Sequence, residues 1–356
     1  MTPESPAFVD AWRRRKSAAF DLAANSTAGR TERVTLFGRA LDVYANANLS
    51  IYSAQTCNAR CPFCVEELRP ASRGRELSVQ REIEADDGRY FAALDATLAA
   101  VRALPPAGPS VSVTGGEPSK DPRLPRILAT LARAGARKRT LTTNGSGLLD
   151  YTIDGKSRVI DAVAEARLAH LNVSRAHPDD DENARLMKLP DHLPLDGLQA
   201  ALAAARAAGV RPRLSLVLLD EGARTLDDVV AYLRFARDRL AVDNVIVRQL
   251  MRTDPETVAR NAVVRYSDRM RVALEPLLDA ISADARFRFV RQIVGYYYYV
   301  EVFRFDDSVD VVFEEADLAE LERKKRLAPG VVHELIFHPN GRLASTWQPW
   351  DGILGP

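Results

Sequence analysis

Cys57-Asn-Ala-Arg-Cys61-Pro-Phe-Cys64 is the stretch that decides the fold of this chain, because it closely follows an apolar, strand-like segment at residues 49–53. Its three cysteines are the only ones among 356 residues. An odd, clustered set of cysteines is a poor disulfide framework, since no other cysteine remains for pairing. The C-x3-C-x2-C spacing instead indicates a metal centre on a loop at the end of a strand.

The chemistry of the cysteine loop favours soft metals. Thiolates bind iron–sulfur clusters or zinc, and three of them can ligate three irons of a [4Fe–4S] cubane. The fourth iron then has no protein ligand, which is typical of a catalytic cluster rather than of an electron carrier. Structural zinc takes four ligands, commonly in two spaced pairs, whereas the five histidines are scattered over positions 170, 177, 192, 333 and 338. Zinc and plain structural cysteines are the alternatives to a cluster.

Downstream of the loop, strand-like and helix-like segments alternate. Strands are predicted at 49–53, 110–113, 139–143, 170–174, 212–219 and 244–250, with helices at 82–104, 124–134, 156–166, 196–208 and 226–239. Alternation of this kind predicts parallel βαβ units, and the apolar strands suggest burial on both faces. Because six strands are fewer than the eight of a closed barrel, the predicted fold class is α/β, with a partial, open (β/α)6 barrel.

Three parts of the chain are expected: an N-terminal extension (1–45), a core (46–255) and a C-terminal α+β region (256–356) that covers the barrel. The extension has a polar leader, partly helical, and predicted strands at 33–36 and 40–44. The C-terminal region has predicted helices at 266–281 and 314–326, strands at 287–293, 297–303 and 309–313, and a hairpin at 334–346 around Pro339-Asn340-Gly341.

Composition restricts the partners and the location. The net charge is +1, so no global field draws the chain to nucleic acid or to an anionic membrane. No stretch reaches the roughly 18–20 apolar residues of a membrane helix, and the first residues lack the apolar segment of a secretory signal. We therefore expect a cytoplasmic protein that binds neither nucleic acid nor membrane.

Two further motifs follow the next predicted strands: Gly115-Gly116-Glu117-Pro118, and Thr143-Asn144-Gly145. With the cysteine loop, and in this order, they make the chain similar to the MoaA-like branch of the radical S-adenosylmethionine (SAM) superfamily over residues 45–255. The resemblance implies a radical SAM barrel and one [4Fe–4S] cluster on Cys57, Cys61 and Cys64. It also implies that SAM, bound to the open iron, is cleaved reductively to methionine and a 5′-deoxyadenosyl radical, which abstracts hydrogen from substrate.

The same resemblance implies roles for individual residues. Gly116 and Glu117 would bind the amino group of SAM, and Phe63 would lie near its adenine. The implied cofactor-binding set is Phe63, Gly115, Gly116, Glu117, Thr143, Asn144 and Ser174. From the residues alone, the two motifs could also be ordinary turns, and Ser174 could cap a helix.

The absence of cysteines after Cys64 and the residues that follow the predicted strands limit the possible functions. Many MoaA-like and SPASM relatives carry additional clusters in the C-terminal region, ligated by further cysteines. In this chain no cysteine follows Cys64, so residues 256–356 cannot hold a cysteine-ligated auxiliary cluster. This argues against a molybdopterin cyclase and against typical SPASM maturases. Substrate candidates follow predicted strands or lie in the C-terminal region: Glu66, Arg175, His177, Asn183, Arg248, Gln249 and Tyr297. We expect a biosynthetic enzyme that acts on a polar small molecule (a sugar, nucleoside or amino acid derivative) with a flavodoxin or ferredoxin as electron donor. The alternatives are a peptide- or protein-modifying enzyme, for which residues 33–44 offer a strand edge, and a non-catalytic iron–sulfur protein.

Overall fold

The computed structural model describes residues 30–53, 56–68, 87–104, 108–136, 138–253, 260–295 and 297–356. The predictions for the polar leader before residue 30, for the start of the helix at 82–86 and for Tyr296 lie outside these residues. None of the helices in the described ranges is long and apolar enough to cross a membrane.

The centre of the fold is a parallel sheet that contains all six predicted strands. They are β3 (Leu49–Ser53), β4 (Val111–Gly115), β5 (Arg139–Thr143), β6 (His170–Ser174), β7 (Arg211–Val217) and β8 (Asn244–Arg248). Each strand pairs in parallel with the next along the chain. The carboxyl ends of all six therefore meet at one edge of the sheet, where the cysteine loop leaves β3 and the other two motifs leave β4 and β5. The α/β prediction of a partial barrel is confirmed.

Helices connect these strands, and their bounds agree with the predicted pattern except in one place. The connecting helices are α1 (Asp87–Val101), α2 (Leu124–Ala134), α3 (Val159–Glu165), α4 (Asp180–Met187), α5 (Leu195–Ala207) and α6 (Leu226–Leu240). Helix α4 was not among the predicted helices. It forms because the Asp179 carboxylate accepts a hydrogen bond from the Glu182 backbone amide and three acidic residues occupy the first turn, where they suit the helix dipole.

The C-terminal strands extend this same sheet at both ends. At one end, β11 (Val309–Ala316) pairs in parallel with β8, followed by the antiparallel strands β10 (Tyr298–Phe305) and β9 (Phe287–Val294). At the other end, β13 (Leu335–Phe337) pairs in parallel with β3, and β14 (Leu343–Ala344) completes the predicted hairpin. Eleven strands result within the described residues. A separate sheet has the order β1 (Thr31–Leu36), β2 (Arg39–Tyr44), β12 (Val331–Val332).

Two helix predictions in the C-terminal region were wrong. The helix expected at 266–281 is two helices, α7 (Ala262–Met270) and α8 (Leu274–Ala283). Pro276 lies in the first turn of α8, where a missing N–H is tolerated, whereas in a continuous helix it would break the chain of hydrogen bonds. The helix expected at 314–326 is α9 (Leu318–Leu327), because β11 continues to Ala316 and the Asp317 carboxylate caps the helix through the Glu320 amide, at 3.0 Å.

Burial of the strands also differs in part from the expectation. In β8, residues 244–247 are all buried, as expected for a strand covered on both faces. In β4, Val111 and Val113 are buried in the main core, whereas Ser112 and Thr114 are only half-buried. The first strands of the sheet thus have an apolar face in the core and a more polar opposite face, which leaves room for polar groups inside the partial barrel.

Candidate active site

The cysteine loop follows β3 and is held by one internal backbone hydrogen bond and by one to the end of α4. Cys57, Cys61 and Cys64 form no disulfide with one another, and all three are half-buried. The Cys64 amide donates to the Cys61 carbonyl at 3.1 Å, which closes a turn around the last two cysteines. The Arg60 amide donates to the Lys188 carbonyl, also at 3.1 Å, and so fixes the loop to the end of α4.

Burial and mutual proximity make the thiols costly to ionise. Burial raises the pKa of Cys57, and it raises the pKa of Cys61 further, with the neighbouring Cys64 and Cys57 as the next causes. Among the described residues, no three metal-ligating side chains already converge as around a bound ion. The donor set nevertheless fits a cluster, since three soft ligands lie on one loop and a metal centre supplies the positive charge that thiolates need.

An apolar cluster surrounds the loop. Its buried members are Ala59, Ala176, Leu186, Met187, Leu189, Leu219 and Leu250, with Cys57, Cys61 and Phe63 packed against them. The Phe63 ring lies 6.3 Å from the Tyr266 ring of α7. Because Ala176, Leu219 and Leu250 follow β6, β7 and β8, the strand ends supply an apolar wall beside the cysteines.

The Gly-Gly-Glu-Pro motif is shaped by its close approach to β3. Gly115 has φ +126°, and a Cβ atom there would lie 2.6 Å from the Ser53 carbonyl oxygen, so only glycine fits. Asp121 secures the same junction, because its carboxylate accepts from the Ser53 hydroxyl at 2.7 Å and from the Arg123 amide at 2.9 Å. The segment before the cysteine loop is thereby fixed to the turn after the glycines.

Glu117 is almost completely buried, with 1% of its surface exposed. Its carboxylate accepts from the Ser119 amide at 2.9 Å, the Ser119 hydroxyl at 2.6 Å and the Asn144 amide at 2.7 Å, and also from the Thr143 hydroxyl. Burial raises the pKa of Glu117, and these four hydrogen bonds oppose that rise. The carboxylate therefore joins the end of β4 to the end of β5.

The Thr-Asn-Gly segment contacts the cysteine loop directly. The Asn144 side-chain amide donates to the Asn58 side-chain oxygen at 2.9 Å and to the Cys57 sulfur at 3.7 Å. The Gly147 amide, three residues on, donates to the Ser119 hydroxyl oxygen at 3.0 Å, and a Cβ at Gly147 would collide with Ser119. All three motifs thus meet within one hydrogen-bonded network, and Ser174 lies nearby only as the half-buried last residue of β6.

Three of the expected substrate residues are used inside the fold. Arg175 is 2% exposed and donates to the Pro178 carbonyl and to Asp180. Asn183 is buried and accepts from the Ala176 amide, and Gln249 donates to the Val272 carbonyl. His177 accepts from the Asp179 amide and Arg248 donates to Glu314, so each has a local structural partner.

A cavity of about 880 Å³ extends from residues before β3, β4 and β5, among them Asn48, Ser110 and Lys138, to Val65. It borders Val65, directly after Cys64, and reaches along Ser50 of β3 to the sheet formed by β1, β2 and β12. Tyr297, a predicted substrate residue, lines it. Glu66 accepts from the Tyr52 hydroxyl at 2.9 Å, and the Tyr52 ring meets the edge of Trp347, which also lines the cavity.

Charged side chains of the C-terminal residues line the same cavity. Lys325 of α9 donates to Glu334 at 3.0 Å and to Glu322 at 3.3 Å, and the other Glu334 oxygen accepts from the Trp347 indole at 2.9 Å. Sequence reasoning missed Lys325 and Glu334, since neither belongs to a motif. It also missed Asn58, Ser119, Asp121 and Ser146, although all four stand within or beside the motifs.

Comparisons with known proteins agree with this geometry. A family model described as the radical SAM superfamily matches residues 51–239. The chain is 33% identical over 237 residues to a GTP 3′,8-cyclase of Stenotrophomonas maltophilia (strain R551-3), over 65% of this chain and 62% of that protein. It is 32% identical over 205 residues to a GTP 3′,8-cyclase of Mycolicibacterium smegmatis, over 56% and 49%. The match therefore spans less than two thirds of the length of these relatives.

Solved structures with a similar fold are more distant. SuiB of Streptococcus suis bound to precursor peptide SuiA gives a TM-score of 0.48 at 15% identity, over 85% of this chain and 60% of that chain. Coproporphyrinogen III oxidase (HemN) of Escherichia coli gives 0.41 at 15% identity, over 73% and 67%.

Proposed function

Because the chain belongs to the radical SAM superfamily, we propose that it is an enzyme with one [4Fe–4S] cluster on Cys57, Cys61 and Cys64. It would cleave SAM reductively and abstract hydrogen from a polar small molecule in a biosynthetic pathway. The observation that carries this proposal is the contact of the Asn144 amide with Cys57 and Asn58, which brings the three motifs to one place.

When bound, the cluster would supply one electron to SAM and so generate the 5′-deoxyadenosyl radical. The chain's own residues would bind SAM and orient it. Gly116 would bind the amino group of SAM, beside Gly115, whose backbone packs on β3. Phe63, Leu219 and Leu250 would hold the adenine, and Ser174 would face polar groups of SAM. Glu117 and Thr143 would fix the geometry of this site, since they bond to each other.

Substrate would occupy the cavity of about 880 Å³, beside Val65. Its wall combines aromatic side chains, Tyr297 and Trp347, with the charged pair Lys325 and Glu334. A wall of this composition suits a polar metabolite with an apolar part, such as a sugar, nucleoside or amino acid derivative. Glu66 and Arg248 are kept as candidates because Glu66 contacts Tyr52 and Arg248 contacts Glu314, which lines the cavity.

The remaining parts of the proposal concern partners and location. A low-potential donor such as a flavodoxin or ferredoxin would supply the electron. A net charge of +1 supports neither nucleic-acid nor membrane binding, and a cytoplasmic location would suit an oxygen-sensitive cluster.

Anaerobic reconstitution tests the proposal. The intact protein should bind about four irons per chain, its reduced EPR signal should change when SAM is added, and 5′-deoxyadenosine should form. Replacing Cys57, Cys61 and Cys64 by alanine should abolish all three signals, whereas Ser308→Ala, in the turn between β10 and β11, should retain them. A normal cluster in the triple variant, or about eight irons in the intact protein, would refute the single-cluster assignment.

A second candidate, modification of a peptide, is favoured by the position of β1. This strand is at the end of its three-stranded sheet as described, and Glu32 and Val34 from it line the cavity. A peptide could pair along such an edge and reach the cavity. Incubating the enzyme, SAM and reductant with either the metabolite or the peptide fraction of a cell extract separates the two candidates. Mass spectrometry should find a compound that is altered by the intact enzyme and not by the triple cysteine variant. An altered compound in the metabolite fraction supports the first candidate, and one in the peptide fraction supports the second.

A further inference from the structure

Asn144 is placed to act on the cluster as well as on the fold of its own turn. It directly follows β5, its backbone amide donates to Glu117 at 2.7 Å, and its side chain lies against the cysteine loop. The side-chain nitrogen is 2.9 Å from the Asn58 side-chain oxygen and 3.7 Å from the Cys57 sulfur. A nitrogen–sulfur distance of this size is that of a hydrogen bond to sulfur.

Neighbouring groups fix which end of the Asn144 amide faces the sulfur. Its oxygen accepts from the Ser146 backbone amide at 2.9 Å, and a flipped side chain would set its NH2 group against that N–H. The NH2 group has two hydrogens; one serves Asn58 and the other points to Cys57. Asn58 is itself held by the Ser146 hydroxyl, to which its side-chain nitrogen donates at 3.1 Å. The donor is therefore preorganised rather than free to turn away.

We propose that Asn144 is a positioning residue that tunes the reduction potential of the cluster by donating an N–H to the sulfur of Cys57. The inference rests on the cluster proposed above. Hydrogen bonds to ligand sulfurs, together with charge and solvent exposure, set the potential of iron–sulfur clusters. The reduced cluster carries one more negative charge, so a donor at the sulfur stabilises it more than the oxidised form. Removing the donor makes reduction harder.

The contact also explains why a short amide stands at this position. Its oxygen makes the turn with Ser146, its nitrogen reaches the sulfur, and its backbone amide serves Glu117. The same residue thus links the turns at the ends of β4 and β5 to Cys57, a proposed ligand of the cluster that would accept the electron. Neither hydroxyl nor carboxylate side chains could supply two donors and one acceptor here.

Two substitutions separate a donor role from a purely structural one. Asn144→Asp keeps an oxygen for the Ser146 amide but presents a second oxygen to the sulfur. Asn144→Leu removes both functions. Ser308→Ala is the control, because it removes a hydroxyl that donates to the Phe305 carbonyl in the turn between β10 and β11, away from the three motifs. Iron content and SAM binding are measured for every variant, so that loss of the cluster is distinguished from a change in its potential.

EPR-monitored redox titration of the reconstituted proteins gives the decisive readout. The midpoint should shift to more negative potential in Asn144→Asp and in Asn144→Leu, at least as far in the aspartate variant, and stay unchanged in Ser308→Ala. An aspartate variant with a full cluster and the midpoint of the original protein would overturn the proposal. If neither variant assembles a cluster, pulsed EPR on the reduced, intact protein decides. An exchangeable deuteron coupled to the cluster, beside nitrogen from labelled asparagine, supports the contact; its absence refutes it.

Discussion

Glu117 provides the sharpest test of how the SAM site is built, because its carboxylate is used within the protein. If Glu117 acted mainly as a direct ligand of SAM, its removal would lower SAM affinity and leave the free protein unchanged. In the structure, however, the carboxylate accepts four hydrogen bonds from Ser119, Thr143 and Asn144. Glu117→Ala should therefore destabilise the protein even without SAM and without a cluster.

The magnitude follows from the donors that lose their acceptor. Two are buried or half-buried backbone amides, of Ser119 and Asn144, and each unsatisfied amide costs about 1–3 kcal/mol. The two hydroxyls can rotate to new partners and add less. The free energy of unfolding should thus fall by about 2–6 kcal/mol, and SAM affinity should fall as well, because the turns at the ends of β4 and β5 lose their connection.

Chemical denaturation of the cluster-free protein measures this change through the unfolding midpoint. Glu165→Ala, an exposed carboxylate on α3, is the matched control and should stay within about 0.5 kcal/mol of the original protein. If Glu117→Ala matched that control while SAM affinity fell, the carboxylate would be a SAM ligand and not a structural connection. If neither property changed, the motif would be an ordinary turn.

Two further predictions concern the wall of the cavity. Burial is the main cause, and the charge of Lys325 the next, of a pKa of His333 that is lowered to about 4. The unfolded chain therefore binds the proton more readily than the folded protein does. The free energy of unfolding should fall as the pH drops from about 6.5 towards 4, by about 2 kcal/mol at pH 5. His333→Gln should remove that loss from denaturation curves compared at pH 7.5 and pH 5, and an unchanged slope would contradict the shift. Trp347→Ala should leave the cluster intact and raise uncoupled 5′-deoxyadenosine formation, measured by chromatography, because the indole meets Tyr52 and Glu334 beside the cavity. Trp350→Ala, at 55% exposure, is the control, and equal rates in the two variants would mean that Trp347 only packs.

The Trp347 variant tests the covering role of the tail better than removal of the whole tail. A deletion from residue 343 onward would remove Leu343, which is fully buried, and Leu354, which is 6% exposed, both from the main core. It would also remove β14 from the edge of the sheet. Loss of coupling after such a deletion would then report unfolding as much as an open cavity.

The sequence patterns predicted several strands and the positions of the motifs correctly. Strands β3, β5 and β6 have the predicted bounds, and β5 ends where the turn-forming residues Asn144 and Gly145 follow it. The three motifs could be located because their residue types are distinctive, with clustered cysteines in one and glycines in the other two. At Gly115 the requirement for glycine comes from a strand that the βαβ pattern already places beside it.

The features that could not be predicted from the sequence depend on contacts between residues far apart in the chain. Nothing in residues 309–316 or 335–337 indicates that they pair with β8 and β3 at opposite ends of one sheet. Strands without intervening helices were expected to form a separate region, but edge strands take the partners that the rest of the fold leaves exposed. The sequence also did not indicate that Glu117, Arg175 and Asn183 form hydrogen bonds within the fold, because their partners depend on how neighbouring turns meet.

The placement of the C-terminal strands has a consequence for specificity. Since they extend both ends of the sheet, the residues that close the cavity come from α9, from the link between β12 and β13, and from the tail, as Lys325, Glu334 and Trp347 show. Trp347 in turn packs on Tyr52, whose hydroxyl bonds to Glu66, two residues after Cys64. A substrate that moved the Lys325–Glu334 pair would therefore act, through Trp347 and Tyr52, on a residue that follows the cysteine loop. We expect changes in this part of the cavity wall to affect both substrate binding and the geometry around the cysteines.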